Sequence, residues 1–205
     1  MIQSVEVKQA ERKLSHCRPD AFLFMRHGET EYNQRRVRCG GDIDIPLTAR
    51  GEAQARAAAE SLQRHYPEID AIIASPLQRT RRTAAIVQER FGAYRPLRLI
   101  LSEGLVERRL GAWNGLDIAA TQAALDAGAC PPGGEAEQVF RARVHAALSE
   151  ILSHGGYRLP LLVTSKGVGR VTALLLGGAG RPPVDNAEVL RFEIPATFWS
   201  KADQA

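Results

Sequence analysis

The feature that most constrains the fold is the alternation of short apolar runs with segments of helical periodicity. Residues 21–25, 70–75 and 159–164 form runs that are almost wholly apolar and too short to be core helices. Runs of this length that end in polar residues are typical of strands buried on both faces of a sheet. A shorter run at 97–100 predicts another strand, and the alternating pattern at 190–194 predicts an edge strand with one exposed face.

Helical patterns separate these strands. Thr48 can cap a helix that continues to residue 65. Further helices are predicted at 77–91, 135–153 and 168–176, whereas the glycine- and proline-rich segment 103–134 is predicted to be mainly loop. This order predicts an α/β fold, a three-layer α/β/α sandwich with a mostly parallel central sheet. We expect residues 1–20 to be a tail or lead-in and residues 21–205 to be a single domain.

Composition narrows the classes of function. The net charge of +4 favours an anionic partner, but aromatic residues make up only 6% of the chain, which argues against nucleic acid. No apolar run approaches the roughly 20 residues that cross a bilayer, and the N-terminus lacks the apolar core of a secretory signal. We therefore expect a cytoplasmic protein with no membrane partner. Its three cysteines predict neither disulfides nor a zinc site.

Three predicted strands end in residues suited to chemistry: Arg26 and His27, then Ser75, then Ser165 and Lys166. In open α/β sheets, ligands bind beyond the carboxyl ends of the strands. The helices that follow would point free backbone N–H groups at the same region, which favours an anion.

Five blocks in order carry a family resemblance. They read FLFMRHGETEYN (22–33), CGGDIDIPLTARGEAQA (39–55), ASPLQRTRRTA (74–84), VERRLGAWNGLD (106–117) and PPGGE (131–135). Together they resemble the histidine phosphatase superfamily, whose members are phosphoglycerate-mutase-like. The resemblance extends over roughly residues 21–180.

The resemblance implies a role for each matching residue. His27 would be the nucleophile that forms a phosphohistidine, and Glu107 the general acid and base. Arg26 and Arg79 would clamp the phosphate, for which guanidinium groups are well shaped. Further contacts to phosphate or substrate are implied for Asn33, Cys39 and Gly40. The implied partner is a small phosphorylated metabolite, no metal or other cofactor is required, and a homodimer is left open because family members often dimerise.

The last block departs from the family pattern. Ser165 stands where the resemblance implies a second histidine, and Lys166 where it implies a glycine. A phosphoryl-contacting donor is commonly worth about 100- to 1,000-fold in rate. Ser165 could still donate a hydrogen bond, Lys166 could restore the lost cation, or the pocket could bind without turnover. We favour retained but weakened catalysis, with Ser165 and Lys166 contacting the phosphate or substrate.

The sequence thus predicts a metal-independent phosphomonoester hydrolase, slow or specialised, acting through His27. The alternative is a catalytically impaired regulatory protein that binds a phosphorylated ligand. A phosphoglycerate mutase is less favoured, because residues 116–134 contain no Arg or Lys to hold a substrate carboxylate. The segment 108–134 is short, rich in small residues and nearly uncharged after Arg109, which predicts either an open pocket or a leaving group without strong negative charge.

Overall fold

The computed structural model describes residues 18–154, 156–178 and 184–202. Most of the predicted tail, residues 1–17, lies outside the described residues. The strands are β1 (Ala21–Arg26), β2 (Ala71–Ala74), β3 (Arg98–Leu101), β4 (Pro160–Thr164) and β5 (Val189–Glu193). The helices are α1 (Glu31–Gln34), α2 (Ala49–His65), α3 (Gln78–Gly92), α4 (Ile118–Asp126), α5 (Glu137–His154), α6 (Lys166–Leu175) and α7 (Ala196–Ala202).

The strands form one sheet in the order β3-β2-β4-β1-β5. β5 runs antiparallel to β1 at the edge, and the other pairs are parallel. In the register, Arg26 pairs with Thr164 and Ala74 pairs with Val163. The carboxyl ends of β1, β4 and β2 are therefore level, so the residues that follow them meet at one edge.

Alternation along β1 divides the core between the two faces of the sheet. Leu23 and Met25 belong to a cluster with apolar residues of α2 and α3, including Ala59, Leu62 and Val87. Phe22 and Phe24 belong to a second cluster with residues of α5 and α6, including Phe140, Leu148 and Val171. Helices thus cover both faces, and the predicted three-layer sandwich with a mostly parallel sheet is confirmed.

One helix lies where mainly loop was expected. Within segment 103–134, α4 forms because Asp117 caps its first turn, accepting a hydrogen bond from the Ala120 N–H at 2.9 Å, and its sequence is rich in alanine. Glycines and prolines flank this short run, and they favoured the prediction of a loop. In the described ranges, every helix is too short or too polar to cross a membrane.

Candidate active site

A cleft of about 950 Å³ opens at the carboxyl ends of β1 and β4. Seven of the nine predicted site residues line it: Arg26, His27, Asn33, Cys39, Glu107, Ser165 and Lys166. Arg79 and Gly40 are not among the residues that line it; they contact each other, with Arg79 donating to the Gly40 carbonyl at 3.2 Å. Ser75 does not line the cleft; its hydroxyl is buried against that of Thr80 at 3.1 Å, beside the start of α3.

The His27 imidazole is buried and fixed in one tautomer. Its Nδ1 lies 2.7 Å from the Gly28 carbonyl oxygen, which can only accept, so Nδ1 carries the hydrogen and Nε2 has the lone pair. Burial lowers the pKa of His27 well below its usual range, and Arg79 and Arg26 lower it further. The Gly28 hydrogen bond opposes this shift but does not outweigh it. The imidazole is therefore neutral at neutral pH, with Nε2 available as a nucleophile.

Two glycines hold the His27 loop against the start of α2. A Cβ at Gly28 would lie 2.3 Å from the Gly51 carbonyl oxygen, and a Cβ at Gly51 would lie 2.1 Å from the Glu29 carbonyl oxygen. Both contacts are with backbone, which cannot move aside as a side chain can. The close approach of these segments thus requires glycine at both positions and fixes the loop.

Two arginines place guanidinium groups beside His27. Arg79 is 1% exposed, and besides its bond to Gly40 it donates to the Ile43 carbonyl at 2.8 Å. Arg26 donates to the Val184 carbonyl at 2.7 Å. Its buried Nε has no hydrogen-bond partner among the described residues. A buried donor without a partner is costly, so this N–H is suited to an anion bound in the cleft.

The Glu107 side chain contacts the first turn of α6. One carboxylate oxygen accepts from the Gly167 N–H at 2.8 Å, and the other accepts from the Arg108 N–H at 2.8 Å. The loop that carries Glu107 is itself held by Arg143, which donates to the carbonyls of Gly104 and Val106 at 3.0 and 2.9 Å. The carboxylate is thus positioned by two backbone N–H groups, one on the next residue along the chain and one at the start of α6.

Ser165 and Lys166, at the start of α6, differ in how far their side chains are exposed. Ser165 is 2% exposed, and its hydroxyl has no hydrogen-bond partner in the described part of the chain. Ser165 is the N-cap residue of α6, yet its side chain makes no capping bond. Lys166 is exposed, and partial desolvation lowers the pKa of its ammonium group, as do Arg26 and Arg38, while Glu107 and Asp185 oppose the shift. Both residues face the cleft with donors that an anion could satisfy.

Neighbouring residues hold the Asn33 side chain in place and keep the Cys39 thiol partly buried. The Asn33 side-chain oxygen accepts from the Thr30 N–H and from the Asn186 side chain, both at 3.1 Å. Burial raises the pKa of the Cys39 thiol despite the nearby Arg79, so this thiol stays protonated at neutral pH. Asn186 also donates to the His27 carbonyl at 3.1 Å. Asn186 was not predicted from the sequence, because no motif surrounds it.

Two further residues missed from the sequence join the loops around the cleft. Asp42 accepts from the Leu110 and Gly111 N–H groups at 3.2 and 2.7 Å and from the Asn114 side chain at 2.8 Å. Burial would raise the pKa of Asp42, but these hydrogen bonds together lower it. Arg38 bonds the Thr121 hydroxyl at 2.8 Å and so anchors α4. Asp42 lies in the block 39–55 but had no implied role, and Arg38 directly precedes that block; their roles depend on contacts distant along the chain.

The described residues contain no group of three or more His, Cys, Asp or Glu side chains placed to hold a metal ion. The cleft does contain several cationic and N–H donors, a neutral imidazole and a fixed carboxylate. This arrangement is suited to binding a phosphate ester and to transferring its phosphoryl group.

Comparisons with known proteins agree with this chemistry. Residues 22–202 match the model of the histidine phosphatase superfamily (branch 1). A probable phosphoglycerate mutase GpmB of Salmonella choleraesuis (strain SC-B67) is 33% identical over 193 residues, covering 86% of each chain. A mycobacterial glucosyl-3-phosphoglycerate phosphatase structure has a TM-score of 0.71 and 26% identity, covering 87% of this chain and 93% of that one. A putative alpha-ribazole-5'-P phosphatase from Escherichia coli K-12 has a TM-score of 0.73 and 26% identity, covering 88% and 93%.

Proposed function

Because the chain belongs to the histidine phosphatase superfamily (branch 1), we propose that it is a metal-independent hydrolase of phosphomonoesters acting through a phosphohistidine at His27. The observation that carries the proposal is the state of the imidazole. It is neutral, it has Nδ1 engaged with Gly28, and it lines a cleft together with Arg26 and Glu107, with the charge of Arg79 close by. The proposed substrate is a small phosphorylated metabolite.

In the first step, the Nε2 lone pair of His27 attacks phosphorus while the bond from phosphorus to the leaving oxygen breaks. Protonated Glu107 gives its proton to that oxygen, so an alcohol leaves. Arg26 and Arg79 neutralise the charge on the phosphoryl oxygens, which is the role a metal has in other phosphoryl-transfer sites.

In the second step, ionised Glu107 takes a proton from water, whose oxygen attacks the phosphohistidine. The phosphorus–nitrogen bond breaks, its electron pair returns to Nε2, and inorganic phosphate leaves. Glu107 is again protonated and His27 again neutral, so the cycle closes without an external acid or metal.

Ser165 has a defined part in this scheme. Its buried hydroxyl has no partner among the described residues, so it can donate to a phosphoryl oxygen together with the N-terminus of α6. A hydroxyl is neutral, unlike a protonated imidazole. We therefore propose that turnover is slow or restricted to particular substrates.

The unpartnered Ser165 hydroxyl also favours a second candidate, a regulatory protein that binds a phosphorylated ligand without turnover. The relative named as a probable phosphoglycerate mutase supports a third. We rank the mutase third because α4 and its flanking loops, residues 116–134, carry no Arg or Lys, so any cation that holds a substrate carboxylate must come from another wall of the cleft.

The test is hydrolysis of p-nitrophenyl phosphate in EDTA by the wild type, His27→Ala, Ser165→Ala and Ser165→His. We expect slow hydrolysis by the wild type, none by His27→Ala, less by Ser165→Ala, and more by Ser165→His. Equal rates for wild type and His27→Ala would overturn the proposal. A silent wild type with an active Ser165→His would favour the ligand-binding candidate, and 2,3-bisphosphoglycerate-dependent isomerisation of phosphoglycerate would favour the mutase.

A further inference from the structure

One carboxylate in the cleft wall is surrounded by three arginines. Glu137, at the start of α5, lies 3.0 Å from Arg108, 2.9 Å from Arg141 and 2.6 Å from Arg170. All four residues line the same cleft as His27. One negative charge against three positive charges leaves this wall with a net positive charge, which attracts anions into the cleft.

The three arginines differ in what they can still bind. Arg108 is buried, and besides Glu137 it donates to the carbonyls of Glu135 and Ala129, so its role is structural. Arg141 and Arg170 are about half exposed, and within the described ranges each makes its hydrogen bond to Glu137 through a single nitrogen. Their remaining N–H groups are free to receive a ligand.

Lys166 connects this wall to the phosphate pocket. Lys166 and Arg170 are four residues apart on α6, so their side chains lie on one face of the helix, about one turn from each other. Both line the cleft, and Lys166 has no hydrogen-bond or ion-pair partner among the residues that the structure describes. Glu107 and Asp185 are the acidic groups near Lys166. Cations therefore extend from Arg26 past Lys166 to Arg170 and Arg141.

We propose that Lys166, Arg170 and Arg141 form a second anion subsite, so that the preferred substrate is a phosphomonoester carrying another anionic group on its leaving part. This proposal rests on the proposed function, because it assumes that the phosphoryl group binds at His27. It also reverses the expectation, drawn from residues 108–134, of a leaving group without strong negative charge. After Arg109 that segment carries no cation, but the cations come from α5 and α6 on another wall of the cleft.

The desolvation of Lys166 supports the subsite. Partial burial, together with Arg26 and Arg38, lowers the pKa of its ammonium group. Like charges gathered without a matching set of acids are unfavourable, and a bound carboxylate or phosphate would relieve the repulsion. Guanidinium groups bind either anion in bidentate fashion, so both belong to the same ligand chemistry.

The test compares substrates that differ only in the second anion. One pair is 6-phosphogluconate and sorbitol 6-phosphate, in which a carboxylate replaces a hydroxymethyl group. The other pair is fructose 1,6-bisphosphate and fructose 6-phosphate. The measured quantity is the ratio of kcat/KM within each pair, from phosphate release. Calorimetric binding of both members of each pair to His27→Gln gives the corresponding ratio of Kd values without turnover.

The variant is Arg141→Gln/Arg170→Gln, and the matched control is Arg56→Gln. Arg56 is likewise an exposed helical arginine paired with a glutamate four residues before it, Glu52, but it lies outside the cleft. We expect the wild type and the control to prefer the doubly anionic member of at least one pair by tenfold or more. The double variant should reduce that preference at least tenfold.

Two results would overturn the subsite: a wild type that binds and hydrolyses both members of each pair equally, or a preference that survives in the double variant. Preference within the gluconate pair would assign the group as a carboxylate, and preference within the fructose pair as a phosphate. If no ester is hydrolysed, the proposed function fails, whereas the calorimetric ratio still tests the subsite.

Discussion

Replacing Gly167 by alanine should displace the proposed acid, Glu107, and leave the fold intact. A Cβ at Gly167 would lie 2.1 Å from the nearer carboxylate oxygen of Glu107. Ordinary van der Waals contact begins at 3.4 Å, so the carboxylate must move by about 1.3 Å. A displacement of this order at a reacting group can lower the rate about 100-fold, which corresponds to about 2.7 kcal/mol of transition-state stabilisation.

The overall stability should not fall with the activity. The clash involves the end of a flexible side chain, and alanine is more favourable than glycine inside a helix by about 1 kcal/mol. The matched control is Gly92→Ala at the end of α3, where an added Cβ meets nothing within 4 Å. Both variants should have a Tm equal to or above that of the wild type.

The assay uses two esters with different leaving groups. An alkyl phosphate needs its leaving oxygen protonated, whereas p-nitrophenolate leaves readily without a proton. For Gly167→Ala we therefore expect kcat/KM to fall about 100-fold with the alkyl ester and much less with p-nitrophenyl phosphate. Wild-type rates on the alkyl ester, or equal losses on both esters, would refute the role given to Glu107.

Three further predictions concern the surroundings of the site. Arg143→Met should leave the buried Glu135 without its charge partner and lower the free energy of unfolding by about 3–5 kcal/mol, measured by urea denaturation; an unchanged midpoint would contradict this. Because the folded pKa of His27 is lowered, kcat/KM should not fall near pH 6.5 through protonation of His27. The free energy of unfolding should decrease below pH 6.5, where the imidazole gains a proton only in the unfolded chain, and His27→Gln should weaken that decrease. Residues of α4, including Ile118 and Gln122, line the cleft, so Arg38→Ala should release α4 and raise KM; an unchanged KM would contradict a contact between α4 and the substrate.

Much of the fold could be predicted because the apolar pattern is periodic. The short apolar runs predicted the strands, and the alternation at 190–194 predicted the edge strand β5, whose antiparallel direction only the structure shows. Helix α4 was not predicted, because its pattern is short and interrupted. Its nine residues lie between glycines and prolines, and its stability depends on a local cap and on the long-range bond from Arg38.

The candidate site could be predicted only where residues belong to a motif. His27, Arg26 and Glu107 lie in recognisable blocks, and the structure brings them to one cleft. The contacts of Asn186, and the arginines around Glu137, depend on pairs of residues from separate elements. Such contacts leave no periodic signal in a single sequence. That Ser165 has a buried hydroxyl without a partner in the described ranges likewise became visible only in three dimensions.

The most direct test of the central claim is detection of phosphoenzyme at His27. The protein is mixed with the best phosphomonoester found, quenched within one turnover in alkaline denaturant to preserve the phosphorus–nitrogen bond, and analysed by mass spectrometry. We predict the addition of one phosphoryl group at His27 that turns over with the rate of phosphate release and is absent in His27→Ala. Phosphate release without any phosphoryl group on His27, or with one on another residue, would contradict the account.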